Sequence, residues 1–406
     1  MAERIDLATP AEKAARLLSA MNMDFFDVYV VYSRSLSIGV LGRGIRDAKS
    51  RIDLGLGVRA YKNRGLGVAF SQSLEPEDVE ETVDRAVSFA RAAQPDPYFK
   101  GIPGPSKAED VPGLCDKEII CLTLEEAGEL VKRMIDAAEE VRHGAMYRGG
   151  MTVGYSRSYL AEIDFEAIGR KAAEKALEQF GSRRVKSGAL PIILTPDSTS
   201  SFISGLMLAI SGESAVKKRT FASRFLGKQI APQILEIVDD GTIPGAIASS
   251  PYDGEGVPRR LTKVVGEGRI LTFLHNSYSA GIAGVETTGH ARRDYRGYVG
   301  AGPTNVRVKP GDSSLEEMIS ETRKGVLVTN ASLIPNMVSG EFSSTIDEGF
   351  LIEGGEKKHP VKNLMVGGQI LEMYRNIELI SKEGRTIGKG FFFPSIKISR
   401  VKLAGG

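Results

Sequence analysis

Apolar residues recur along this chain with two different periods, and the places where the period changes mark its elements. Residues 9–22 repeat with the period of a helix, which puts Ala11, Ala15, Leu18 and Met21 on one side. From Val28 the period falls to two. Val28, Val30 and Tyr32 alternate with other residues, Leu36, Ile38 and Val40 follow, and Gly42-Arg43-Gly44 supplies a hairpin turn. Leu54, Leu56 and Val58 alternate again, and Gly65–Phe70 adds a further strand. Together they predict an antiparallel meander with one buried face.

Pro76, Glu77 and Asp78 predict the start of a helix that runs to about Ala93 with Val79, Val83, Val87 and Ala90 as its stripe. A Pro/Gly-rich stretch from Pro95 to Pro112 reads as a linker or loop. The capping box Thr123-x-x-Glu126 opens the next helix, with Leu130, Val131, Met134 and Ala138 facing inward. Asp164 caps another, carrying Phe165, Ile168, Ala172 and Phe180, and Gly181 ends it in the left-handed region.

Leu190–Leu194 reads as a short buried strand. Beyond about Pro251 the chain is rich in hairpin signals, at Gly266-Glu267-Gly268, Glu353-Gly354-Gly355-Glu356 and Lys382-Glu383-Gly384-Arg385, with Leu315–Lys324 the one helix added there. The expected fold class is α+β. Residues 1–185 form an N-terminal antiparallel sheet with helices, and residues 186–406 a mainly antiparallel, barrel- or sandwich-like β domain with a helix near its entry.

Composition adds bounds. The 406 residues exceed one ordinary core, in line with two domains, and 42% hydrophobic and 26% charged residues are ordinary globular values. The net charge of +2 is too small for binding nucleic acid by phosphate neutralisation, so no nucleic-acid partner is expected. The first residues lack the layout of a signal peptide, and apolar runs such as Leu206–Ile210 are far shorter than a membrane span. A cytoplasmic protein without a membrane partner is expected. Cys115 and Cys121 have no His nearby, so they read as reduced thiols rather than a metal site.

Candidate chemistry is sparse. None of His143, His275, His290 and His359 has a His or carboxylate at i+3 or i+4 in a helical context, so no zincin-like ligand pair is expected. The serines at Ser198–Ser201 and Ser211–Ser214 form no Gly-x-Ser-x-Gly elbow, and the glycines form neither a dinucleotide fingerprint nor a P-loop. Two windows stand out. Thr287–Arg296 carries His290, Arg292 and Arg293; it reads either as a solvated loop or as a clamp for peptide carboxylates and carbonyls. Gly340-Glu341-Phe342-Ser343-Ser344 reads either as an ordinary strand or as one that pairs with an extended peptide. No catalytic set and no metal site emerge from the residues.

A series of segments resembles the TldD/PmbA peptidase family, also called the "modulator of DNA gyrase" family. They are Asp253-Gly254-Glu255-Gly256-Val257-Pro258, Gly266–Leu271 leading into His275-Asn276-Ser277, Thr288–Arg293, Pro303-Thr304-Asn305-Val306, Gly340–Ser343 and Gly349–Gly355. The resemblance covers nearly the whole chain. It implies one of two subunit types. TldD-type chains carry His-Glu-x-x-x-His on a helix and a further Cys ligand near the C-terminus, whereas TldE/PmbA-type chains lack both. Here the matching helix, Ser201–Ile210, has no His or Glu, and Leu379–Arg385 has no Cys. The resemblance therefore implies a non-catalytic TldE/PmbA-type subunit with no cofactor of its own. Zinc is expected in a TldD-type partner, and extended peptides are expected as substrates. A homodimeric peptide-binding or regulatory protein is the alternative, and a metal-independent hydrolase using His290 or His275 with a serine is the third. The sequence departs from the family between Tyr147 and Asp164, where relatives have longer strands and this chain passes quickly through Met151–Tyr159, and at His290, where Asn is common.

Overall fold

The computed structural model describes residues 5–141, 159–297 and 299–405. His143 and most of the Tyr147–Asp164 departure fall in 142–158, outside the described residues. Among the described residues, no helix is long and apolar enough to cross a membrane.

The N-terminal part begins with α1 (Ala8–Ala20) and the strands β1 (Phe25–Leu41), β2 (Gly44–Lys62) and β3 (Gly65–Ser71), a three-stranded antiparallel sheet in that order. The helices α2 (Pro76–Ala92), α3 (Lys117–Cys121), α4 (Leu124–Val141) and α5 (Phe165–Glu178) follow. Strand alternation gives the sheet two distinct faces. Leu56, Val58 and Ala60 of β2 point to one side and bury themselves against Ala14 and Leu18 of α1 and Val79, Val83, Val87 and Ala90 of α2. The predicted stripe of α2 is the one observed. On α1 the buried residues are Pro10, Ala14 and Leu18; Ala11, Ala15 and Met21 are only half-buried, because the buried face is rotated around the helix from the one expected. The capping box is present, with Thr123 N donating to Glu126 Oε2 at 2.8 Å and Glu126 N to Thr123 Oγ1 at 3.2 Å. Asp164 caps α5 by accepting from Ala167 N at 2.8 Å. On α4 the fully buried residue is Ala137, and Leu130, Val131, Met134 and Ala138 are half-buried.

The remainder comprises β4 (Gly188–Leu194), α6 (Pro196–Ala209), α7 (Gly212–Val216), β5 (Ile237–Asp240), β6 (Leu261–Gly266), β7 (Arg269–Ile270), α8 (Ser277–Ala283), β8 (Ala291–Arg293), β9 (Val299–Ala301) and β10 (Val306–Val308). Then come α9 (Leu315–Ser320), β11 (Lys324–Ala331), β12 (Glu341–Glu353), β13 (Glu356–Pro360), β14 (Met365–Gln369), α10 (Ile370–Arg375), β15 (Ile377–Ile387) and β16 (Phe391–Ala404). Following the pairings from β12 to β11, β4, β16 and β14 leads back to β12, so these strands close a barrel. The pairings are mostly antiparallel; β11 with β4 and β10 with β16 are parallel. Strands β10, β5, β6 and β7 extend from β16 as a wing.

Three local readings change. Lys382-Glu383-Gly384-Arg385 is no turn. It lies inside β15, where the register against β16 shifts between Ile380 and Gly384, so the glycine marks a bulge and the reversal comes after Ile387. The expected helix at Leu315–Lys324 stops at Ser320, because Lys324 is needed to start β11. The helices α8 and α10 were not expected, since each is too short to show a period of its own.

The second face of the N-terminal sheet carries Asp27, Tyr29, Gly55, Gly57 and Arg59, and it receives a loop from the C-terminal part. A Cβ at Gly55 would lie 2.4 Å from the Tyr295 ring, and one at Gly57 would lie 1.9 Å from the Tyr295 carbonyl oxygen. Glycine inside a strand here marks a close approach of another part of the chain. Gly57→Val should therefore destabilise the protein by about 2–3 kcal/mol through overpacking, read as a lower urea midpoint with little change in slope.

Candidate functional site

A groove of about 530 Å³ opens on the outer face of the barrel, lined by Glu341, Phe342, Ser343, Gly368, Gln369, Glu372 and Lys402. A neighbouring hollow of about 270 Å³ extends it past Asn376 and Arg400 to Ala189. Alternation explains the lining. Phe342, Val366, Val401 and Leu403 point into the core, so Glu341, Ser343, Gly367 and Lys402 point outward. Gly367 pairs with both Ser343 and Lys402, and its missing side chain leaves a notch between them. The pairing of β14 with β16 ends at Gly367–Lys402, and beyond it Gly368 and Gln369 have no neighbour on that side. The groove lies where these strands part, with α10 at its end.

Of the residues singled out in the sequence, Glu341, Phe342 and Ser343 line this groove, and Gly340 borders it: a Cβ there would be 3.3 Å from Gln369 Oε1. One edge of Glu341–Thr345 is already paired with β14. His290, Arg292 and Arg293 lie elsewhere. Arg292 is exposed, with its guanidinium on the Pro303 carbonyl.

Arg293 belongs to a buried ionic cluster between the two sheets. Its Nη2 is 2.5 Å from Asp27 Oδ1, outside hydrogen-bond alignment, and its Nε has no partner. It also stacks over Tyr29 at 5.1 Å. Arg59 donates to the other oxygen of Asp27 at 2.5 Å and approaches Glu255 at 3.3 Å. Glu255 in turn accepts from Ser277 N at 2.8 Å. Burial works against the Arg59 charge, yet Asp27, aided by Glu255, outweighs it and raises that pKa. For Arg293 burial prevails and lowers the pKa, with Asp27 opposing and Arg59 reinforcing. Burial pushes the Tyr61 hydroxyl up to about 12. Asp27 and Arg59 were not singled out in the sequence, and Glu255 and Tyr295 stood out only as members of longer segments; the glycines at 55 and 57, inside an alternating strand, were the available signal.

His290 is also buried. Its Nε2 donates to Asp239 Oδ1 at 2.9 Å, and its Nδ1 lies 2.8 Å from the Thr288 carbonyl and 2.9 Å from Thr288 Oγ1. Thr288 Oγ1 accepts from His275 N at 2.7 Å, and His275 Nδ1 lies 3.1 Å from Ser279 Oγ. Asp239, His290, Thr288, His275 and Ser279 thus form a hydrogen-bonded chain, every member less than a tenth exposed. A serine–histidine contact exists, but the groove does not reach it. The chain fixes the 275–290 segment to β5.

Helix α6, which the resemblance sets against a ligand-bearing helix, is core. Phe202, Ile203, Leu206 and Met207 are buried. The Phe202 ring stacks on Tyr374 at 4.2 Å, and the Tyr374 hydroxyl donates to the Phe202 carbonyl at 2.6 Å. Among the described residues, no three His, Cys, Asp or Glu side chains are grouped to hold a metal ion. The residues here do not fit a zinc site.

Comparison with known proteins identifies relatives along nearly the whole chain. The family model for the PmbA/TldA metallopeptidase C-terminal domain matches residues 187–405, and that for PmbA/TldA metallopeptidase domain 1 matches residues 26–90. The metalloprotease PmbA of Escherichia coli O157:H7 is 26% identical, over 97% of this chain and 95% of its own. A metalloprotease TldD homolog of Haemophilus influenzae is 22% identical, over 96% of this chain and 94% of its own. The crystal structure of TldE from Thermococcus kodakarensis has a TM-score of 0.85 at 26% identity, covering 98% of this chain and 100% of that one. A putative modulator of a DNA gyrase from Thermotoga maritima shares the fold, with a TM-score of 0.84 at 22% identity over 97% of this chain and 99% of that one.

Burial, reinforced by nearby His290, depresses the His275 pKa from 6.5 to about 4. Its neutral form is therefore the one the fold holds. The associated stability is complete above pH 6.5 and is lost progressively as pH falls toward 4, by about 3 kcal/mol in all. Denaturant titrations across this window should show the loss, and His275→Gln should flatten it.

Proposed function

Because the chain belongs to the PmbA/TldD metallopeptidase family, we propose that it is the zinc-free, TldE/PmbA-type half of a two-subunit peptidase. The observation that carries this reading is α6. Where the zinc-bearing type needs His-Glu-x-x-x-His, this helix has apolar residues packed into the barrel. Conversion to zinc binding would leave polar ligands in a close-packed core, at a cost of several kcal/mol. A TldD-type partner would hold the zinc and would supply the activation of water near neutral pH. This chain supplies a wall, and its groove accepts an extended peptide over the notch at Gly367. The exposed, unpaired thiols of Cys115 and Cys121 suit a cytoplasmic location.

Metal analysis of the purified chain, alone and mixed with a TldD-type chain, tests the division of labour. The expected result is no stoichiometric zinc alone, one zinc per heterodimer after mixing, and chelator-sensitive peptidase activity in the mixture only. Stoichiometric zinc and activity in the isolated chain would overturn it. Filling the groove with Ser343→Trp should lower kcat/KM of the mixture about tenfold with zinc content unchanged; an unchanged kcat/KM would remove the groove from the peptide's path.

A further inference from the structure

The chain's charges are balanced overall, but not around α7. Between residues 213 and 228 five cations (Lys217, Lys218, Arg219, Arg224 and Lys228) face one carboxylate, Glu213. This segment has a net charge of +4 in a chain of +2, so all the other residues together are net negative.

The fold holds these cations outward. Ala215, Thr220, Phe221, Ala222 and Ile230 are buried anchors. Lys218 at φ 54° and Gly227 at φ 72° turn the backbone between them through the left-handed region. All five cations are exposed. Lys217 pairs with Glu213 at 2.8 Å, whereas Lys218, Arg219, Arg224 and Lys228 have no ion pair among the described residues. Exposed apolar side chains lie beside them: Leu226 in the segment, and Val338 next to Met337, whose carbonyl accepts from Phe221 N at 2.7 Å. The surface is therefore a cationic shelf with apolar patches.

Its position ties it to the groove. A Cβ at Gly340 would stand 3.3 Å from Cβ of Phe221, a buried anchor of this segment, and 3.3 Å from Gln369 Oε1 of the groove. Gly340 thus lies between an anchor of the cationic segment and the groove lining.

We propose that this shelf is the docking site for acidic stretches of the peptides that the groove takes. The proposal rests on the reading of the groove as a peptide path. Unpaired cations beside a groove raise the local concentration of an anionic ligand and speed its encounter, in a salt-dependent way. The apolar residues suit the side chains that flank the acidic ones.

Fluorescence anisotropy with the full-length chain tests this, using a labelled Glu-rich dodecapeptide and its Gln-for-Glu counterpart. The Glu-rich peptide should bind about tenfold more tightly at low salt, and the preference should shrink as salt rises. Arg219→Glu/Arg224→Glu should abolish the preference, and so should Lys228→Glu with Arg224→Glu; unchanged melting temperatures would show that both variants fold. Equal affinities for the two peptides, or a preference that survives both variants, would overturn the shelf while leaving the groove intact. So would a duplex oligonucleotide that competes as well as the peptide does, since the site would then read any polyanion. Failure of every peptide to bind also overturns it. The groove itself falls separately, if Ser343→Trp leaves peptidase activity of the mixture unchanged.

Discussion

Strand β16 must satisfy hydrogen bonds on both edges along its 14 residues, and the C-terminal architecture follows from how it does so. Its first half pairs with β15 and touches β10; its second half pairs with β4, and its last residues with β14. The last two pairings close the barrel, and the contact with β10 opens the wing. Because β15 leaves at Ile377–Ile398 and β14 arrives only at Gly367–Lys402, one edge of β16 is briefly without a strand. The groove lies against that gap. The demand that closes the barrel therefore also sets where the groove opens.

The same barrel explains why α6 is apolar on its inward face. A helix packed among β4, β11 and β16 has one solution if its inward residues are apolar, and Phe202 stacked on Tyr374 is that solution.

The docking of the N-terminal sheet has its own logic. One face of β2 is apolar and takes the helices; the other carries two glycines and Arg59, and takes Tyr295 and Arg293 from the far half of the chain. Two arginines share the carboxylate of Asp27, with Glu255 as a second anion, so the charges nearly balance within the buried cluster. Such a cluster favours one arrangement of the two sheets over others more than it adds stability, since breaking any single pair strands a buried charge.

Much of this was legible in the residues. The meander, α2 with its stripe, the caps at Thr123 and Asp164, the hairpins at Gly266–Arg269 and Glu353–Glu356, and the α+β class all rest on short-range periodicity and turn chemistry, which a sequence states directly. The family was equally plain, because an ordered set of motifs is either written in the chain or is not. The tertiary structure alone decided the rest. His290 and Arg293 read either as part of a solvated loop or as part of a peptide clamp, but they are buried among partners distant in sequence, Asp239 and Asp27. Lys382–Arg385 looked like a turn but continues a strand. The groove needs a glycine on β14 to stand beside Ser343 of β12 and Lys402 of β16, and the shelf lies next to it only because Phe221 packs on Gly340. Each of these depends on residues brought together by barrel closure. A local pattern can say what a segment prefers to be, but not which distant segment will stand beside it.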